Sequence, residues 1–267
     1  AGWIDEEGFY RENANAINAL QGTPGRLVTS AELSSLTAWH SGYGDSNPYS
    51  NVSFYLKGSI LGLLLDLTIR DATEGARGLD DVMRLLIERY YAQGRGYPED
   101  GFQAAAEEVA GRSLDEFFVR YVAGTDELPY AETLAVVGLD ASRVAQQDSP
   151  AATFGWRLRQ QGGDVTIVGL LPDSPALAAG IMRNDVLVSL DGQAVDTADI
   201  GAFLSAHSPG DTASVTVRRL SREIERQVTL GDGGNLRWTI TPLESPSERQ
   251  LRLREGWLSS KVGQPAP

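Results

Sequence analysis

The stretch Asn51-Val-Ser-Phe-Tyr-Leu-Lys-Gly-Ser-Ile-Leu-Gly-Leu-Leu-Leu-Asp-Leu-Thr-Ile-Arg70 most narrows what this chain can become. It is almost continuously apolar and no proline interrupts it. A helix that is apolar all round must be wrapped by other elements or by lipid. The run from Phe54 to Ile69 is too short for a bilayer and contains Lys57 and Asp66. The expectation is therefore a buried core helix from about residue 51 to 71, with no membrane insertion. Its first turn carries Tyr-x-Lys-Gly at 55–58. A tyrosine on an apolar helix is most often a core residue with its hydroxyl tied to a neighbour. Lys57, two residues on, faces away from Tyr55 and is expected to be a structural charge paired with an acid. Gly58 and Gly62 are expected to permit close helix packing.

The surrounding sequence, residues 1–140, reads as helical. Phe9, Ala16, Ile17 and Leu20 fall near helical spacing, and Gly22-Thr-Pro-Gly25 stops that helix. Thr29-x-x-Glu32 and Ser113-x-x-Glu116 have the spacing of capping boxes. Residues 42–50 read as a loop. Val82, Leu85, Leu86 and Tyr90 share one face of a further helix. Residues 141–150 are polar and read as a linker. Beyond them the pattern changes to strands at Val165–Leu171, Asp185–Leu190, Ala213–Arg218 and Glu223–Leu230, the first ending at Pro172. Residues 232–267 read as a C-terminal extension: a strand, a polar helix and a disordered end from Val262. The fold class is thus α+β in two domains, a helical lobe at 1–140 and a strand-rich domain at 151–231.

Charge and composition exclude several function classes. The net charge of −13 in 267 residues opposes binding to nucleic acid, which needs clustered Lys and Arg. Cysteine is absent, so there are neither disulfides nor thiolate ligands. That suits a bacterial periplasm or a cytoplasm, with the periplasm slightly favoured.

The run Leu171-Pro-Asp-Ser-Pro-Ala-Leu-Ala-Ala-Gly-Ile-Met-Arg-Asn-Asp-Val-Leu-Val-Ser-Leu-Asp-Gly192 resembles a PDZ domain of the bacterial protease type, over roughly residues 151–231. The resemblance implies a β-sandwich or barrel. It also makes Thr153-Phe-Gly-Trp156 the carboxylate-binding loop, with the backbone N–H groups of Phe154, Gly155 and Trp156 turned toward a peptide C-terminus. The alternative is that Phe154 and Trp156 only cap the core. The chain's acidity would disfavour acidic peptides there.

The first half is similar to the glycyl aminopeptidase family of zinc metallopeptidases. The matching segments include Thr23-Pro-Gly-Arg26, Asn51–Gly58, Leu65–Arg70, Leu79–Arg84 and Phe117–Gly124. Members of that family also end in a PDZ domain. The resemblance implies the helical lobe of a thermolysin-like catalytic domain that removes N-terminal Gly or Ala from peptides. It makes Tyr55 the catalytic residue that stabilises the tetrahedral transition state. The family's zinc motif, His-Glu-x-x-His, is absent, and the chain has only His40 and His207. The expectation is a C-terminal fragment whose partner is the N-terminal part of the same protein. Zinc belongs to the full-length enzyme, no metal is bound by this chain, and the chain alone is inactive. A second reading makes it a PDZ peptide-binding adaptor or regulatory module on a helical scaffold.

Overall fold

A computed structural model describes residues 4–41, 50–145, 150–171, 173–233 and 236–259. Outside them lie most of the expected loop (42–49), the end of the expected linker (146–149), Pro172 and the expected disordered end. The chain divides into two units, residues 1–143 with 238–267, and residues 144–237.

The first unit opens with α1 (Glu6–Gln21), started by Asp5, whose carboxylate accepts from Gly8 N–H at 2.8 Å. Next come a 3-10 turn at Pro24–Leu27, α2 (Ala31–Leu36) and α3 (Ala38–Ser41). The cap of α2 is Ser30, whose Oγ accepts from Leu33 N–H at 3.0 Å, and not Thr29. Thr29 instead donates its hydroxyl to the Ser50 carbonyl at 2.8 Å. The long helix α4 runs Phe54–Ala72, capped by Ser53. It is the hub of the unit and packs on α1, α2, α5 (Leu79–Arg89), α6 (Gly101–Ala110) and α8 (Tyr130–Ala135). Ile60, Leu64, Leu65, Leu67 and Ile69 are buried, and each such side chain contributes roughly 2–3 kcal/mol by leaving water. Asp66 accepts from Leu79 N–H at 2.7 Å, so the acid inside the apolar helix starts the next one.

The second expected capping box also differs. Ser113 bonds Asp115, a short α7 covers Asp115–Phe117, and Phe118–Val122 widens into a π-helical turn. The expected linker begins as a strand, β1 (Leu139–Ala145).

The second unit is a mostly antiparallel sheet. Its strands are β2 (Ala152–Thr153), β3 (Trp156–Gln161), β4 (Asp164–Leu170), then α9 (Pro175–Ala178), β5 (Val186–Leu190), β6 (Gln193–Ala194), α10 (Thr197–Ser205), β7 (Thr212–Arg219), β8 (Arg222–Thr229) and β9 (Gly231–Asp232). The order is β3-β4-β5-β7-β8, with β6 on β5 and β2 paired to β9. Tight two-residue turns close its hairpins. Asp191-Gly192 sits between the paired Leu190 and Gln193, both turn residues at positive φ, as such hairpins require. Val165, Ile167, Leu187, Val215, Val217 and Val228 alternate inward to form the core.

The chain then returns to the first unit through β10 (Leu236–Pro242), which pairs with β1, and α11 (Glu248–Ser259). Residues 238–259 therefore group with the helical unit. The cause is apolar burial: Ile240, Leu253 and Trp257 join the helical core. Asn18 also clasps the Trp238 backbone, accepting from its N–H and donating to its carbonyl, each at 2.9 Å. Among the described residues no helix is long and apolar enough to cross a membrane.

Candidate functional site

Tyr55 lies one residue inside α4 and is 67% exposed. It leans on Phe54 with ring centroids 4.2 Å apart. Among the described residues nothing bonds its hydroxyl. Core packing therefore does not explain it. Two features place it. Ser53 starts the helix, and Gly25 lets the 3-10 turn seat on the residues before it. A Cβ on Gly25 would lie 2.0 Å from the Asn51 carbonyl oxygen. Ser34 Oγ donates to the Val52 carbonyl and lies 3.0 Å from Asn51 Oδ1, fixing the same segment.

Gly58 does not serve close packing, because a Cβ there would meet nothing within 4 Å. At Gly62 the nearest atom is a Leu79 methyl at 3.8 Å.

Lys57 points inward and is only 2% exposed. It is not ion-paired among the described residues. Its ammonium donates to the Gly124 carbonyl at 3.3 Å. Burial, and then the Arg26 guanidinium, push its pKa below the usual lysine value, while Glu127 pulls it back. Lys57 lines a small cleft, partly open to solvent, with Arg26, Glu127, Asp126 and Tyr130. Arg26 pairs with Glu127 at 2.8 Å and donates to Gln21 at 3.0 Å. Gln21 in turn donates to Glu127 at 3.0 Å and to the Tyr130 hydroxyl at 3.2 Å. Burial pushes the Tyr130 pKa up to about 12. Sequence reading missed this cluster, since Gln21 and Tyr130 are 109 residues apart.

In the sheet unit the three expected carboxylate-loop residues are consecutive on one turn. Gly155 has φ of +70°, and a Cβ there would strike Ser174 at 2.4 Å, so the turn needs glycine. Its N–H already donates to Thr153 Oγ1 at 3.0 Å. A carboxylate would have to compete for that donor. Phe154 is fully buried, stacked on Trp156 at 4.1 Å and on Phe203 of α10 at 6.1 Å. His207 stacks on the far side of Phe203 at 4.2 Å. Among the described strands the adjoining β3 is a sheet edge, paired with β4. Gln160 of β3 accepts from the Thr197 hydroxyl of α10 at 2.6 Å.

His40 falls in α3 and His207 just after α10. Among the described residues no group of three or more His, Cys, Asp or Glu could hold a metal ion. The donor set for zinc, three protein ligands around one open position, does not fit the residues described.

Comparison with known proteins bears on both units. Residues 1–61 match the M61 glycyl aminopeptidase family, and residues 152–230 match the PDZ domain family. No curated protein matches the chain. Among solved structures, an aminopeptidase N family protein from Idiomarina loihiensis superposes with a TM-score of 0.84 at 19% identity. The match covers 94% of this chain and 44% of that one, so this chain spans less than half of that protein's length. At this identity the likeness shows a shared fold. The HtrA-type protease AlgW in complex with a decapeptide aligns over 31% of this chain and 29% of that one, at 19% identity and a TM-score of 0.29. A serine endoprotease from Yersinia pestis aligns over 32% of this chain and 30% of that one, at 20% identity and 0.28. These two scores are too low to carry an argument.

Proposed function

We propose that this chain is the C-terminal part of a zinc-dependent aminopeptidase that removes N-terminal Gly or Ala from peptides. The helical unit is one lobe of the catalytic domain, and the sheet unit is its PDZ module. The observation that carries this reading is the family match running through Tyr55-Leu-Lys-Gly58, at an exposed tyrosine whose hydroxyl has no partner among the described residues. A phenol held at a helix start can donate a hydrogen bond to an oxyanion as a peptide carbonyl turns tetrahedral. One such donor is worth roughly 3 kcal/mol in the transition state. The zinc ligands are assigned to residues outside this chain, so the chain by itself is inactive. In the longer protein, Tyr55→Phe should lower kcat by about 100-fold while KM changes little. A variant with unchanged kcat removes Tyr55 from the chemistry.

A second reading, in which the PDZ unit is a peptide-binding module, is favoured by the edge position of β3 beside the Phe154-Gly-Trp156 turn. An extended peptide would add to that edge, with its carboxylate at the N–H groups of the turn. The two readings are compatible within one protein.

A further inference from the structure

The edge of β3 is one wall of a groove, and a hydrogen bond joins it to the other wall. That second wall is α10, which packs on β2 and β3. Phe203, in the C-terminal half of α10, stacks on Phe154 of the turn at 6.1 Å. Thr197, the first residue of α10, donates its hydroxyl to Gln160 near the far end of β3 at 2.6 Å. The helix therefore runs antiparallel to the strand. A peptide that adds to the outer edge of β3 must lie beside it. Leu158 and Gln160, two residues apart, share a face of β3. Leu158 is half-buried, and Gln160 is the residue that reaches across.

A peptide ending at the turn and running antiparallel to β3 advances one residue for each residue of the strand. With its last residue level with Trp156, its fifth from the end comes level with Gln160. There the bond to Thr197 crosses its path. We infer that the Gln160–Thr197 hydrogen bond sets the length of peptide this groove takes. The ligand it fits is a free C-terminus of about four residues, apolar at its end, and a longer extended segment enters only after the bond breaks. The inference rests on the peptide-binding reading of the sheet unit and not on the aminopeptidase reading. Both partners are exposed, so breaking the bond exchanges it for bonds to water or to the peptide, at a cost of a small factor in affinity. The latch thus grades affinity by length and does not bar long peptides.

Titration of the full chain with free-acid peptides of about four and about eight residues, sharing one apolar C-terminal sequence, tests it. The unaltered chain should bind the two within about 2-fold of each other. Thr197→Val keeps the shape of the side chain and removes the hydroxyl. The longer peptide should then bind that variant about 3-fold or more tighter than the shorter one. Gln160→Ala should give the same gain, and the double variant no more than either single one, because one bond is lost in all three. A long-peptide advantage of that size already present in the unaltered chain overturns the inference, as does a length ratio that neither substitution moves, and both results leave the peptide reading standing. If neither peptide binds any of the proteins, the peptide reading itself fails and the inference falls with it.

Discussion

Tyr55 and Lys57 sit two residues apart on α4 and do opposite things. One offers its hydroxyl to solvent and the other is sealed inside. Because Tyr55 packs little of its surface, Tyr55→Phe should change stability by no more than about 0.5 kcal/mol. A thermal melt alongside the kinetics separates a lost donor from a lost fold. Gly25 has the reverse profile. Gly25→Ala drives a methyl into the Asn51 backbone and should cost about 2–3 kcal/mol, as overpacking does. Chemical denaturation measures it, and a loss below 0.5 kcal/mol would mean the turn at 24–27 can shift freely. What marked Tyr55 was the resemblance of Tyr55-Leu-Lys-Gly58 and its flanking segments to the glycyl aminopeptidase family. It did not mark its exposure, because in an apolar run a buried and a solvent-facing aromatic are written alike. Nor did it reveal that Lys57 makes no ion pair among the described residues, since its neighbours Arg26 and Glu127 come from distant segments.

At the scale of elements, the sheet unit is tied by a buried ion pair that alternation of apolar residues could not disclose. Asp185 is 1% exposed and receives both prongs of Arg219, each at 2.8 Å, plus the Met182 N–H at 2.8 Å. Burial alone would raise its pKa, but Arg219 and the Met182 N–H outweigh it, and the net shift is downward. A depressed folded-state pKa contributes stability that is full above the unfolded value, about 3.9, and is lost as pH falls through the folded one. Asp185→Asn should therefore cost about 3–5 kcal/mol near neutral pH and flatten the loss of stability in acid below about pH 4. Denaturation of both proteins across pH 2–7 checks it, and parallel curves would contradict it. The edge strand β3 carries the peptide prediction. The full chain should bind an apolar peptide with a free carboxylate more tightly than its amide. Equal titrations of the two would remove carboxylate capture from the turn at 154–156. Hairpin turns such as Asp191-Gly192 were legible because their residue types are demanded by positive φ. The engagement of the Gly155 N–H by Thr153 was not, since any Thr two residues upstream reads as neutral.

For the whole molecule, the order of helices and strands was legible from periodicity, but the return of the C-terminal segment was not. Arg237-Trp-Thr-Ile-Thr reads as one more strand after a row of strands. Only its partner, β1, and the clasp on Asn18 assign it to the helical unit. Deleting residues 238–267 should therefore unfold the helical unit while the sheet unit keeps its cooperative transition, a result that calorimetry would resolve. The metal site follows the same logic on a larger scale. The described residues hold no ligand set, and the chain spans 44% of a solved aminopeptidase N family protein with which it shares its fold. Metal content and glycyl-anilide hydrolysis, measured on this chain and on the longer protein proposed to contain it, test the central claim most directly. The claim predicts that the longer protein retains stoichiometric zinc through dialysis and cleaves the substrate, while this chain does neither. Zinc held by this chain together with hydrolysis would contradict it, as would a longer protein that neither binds zinc nor cleaves.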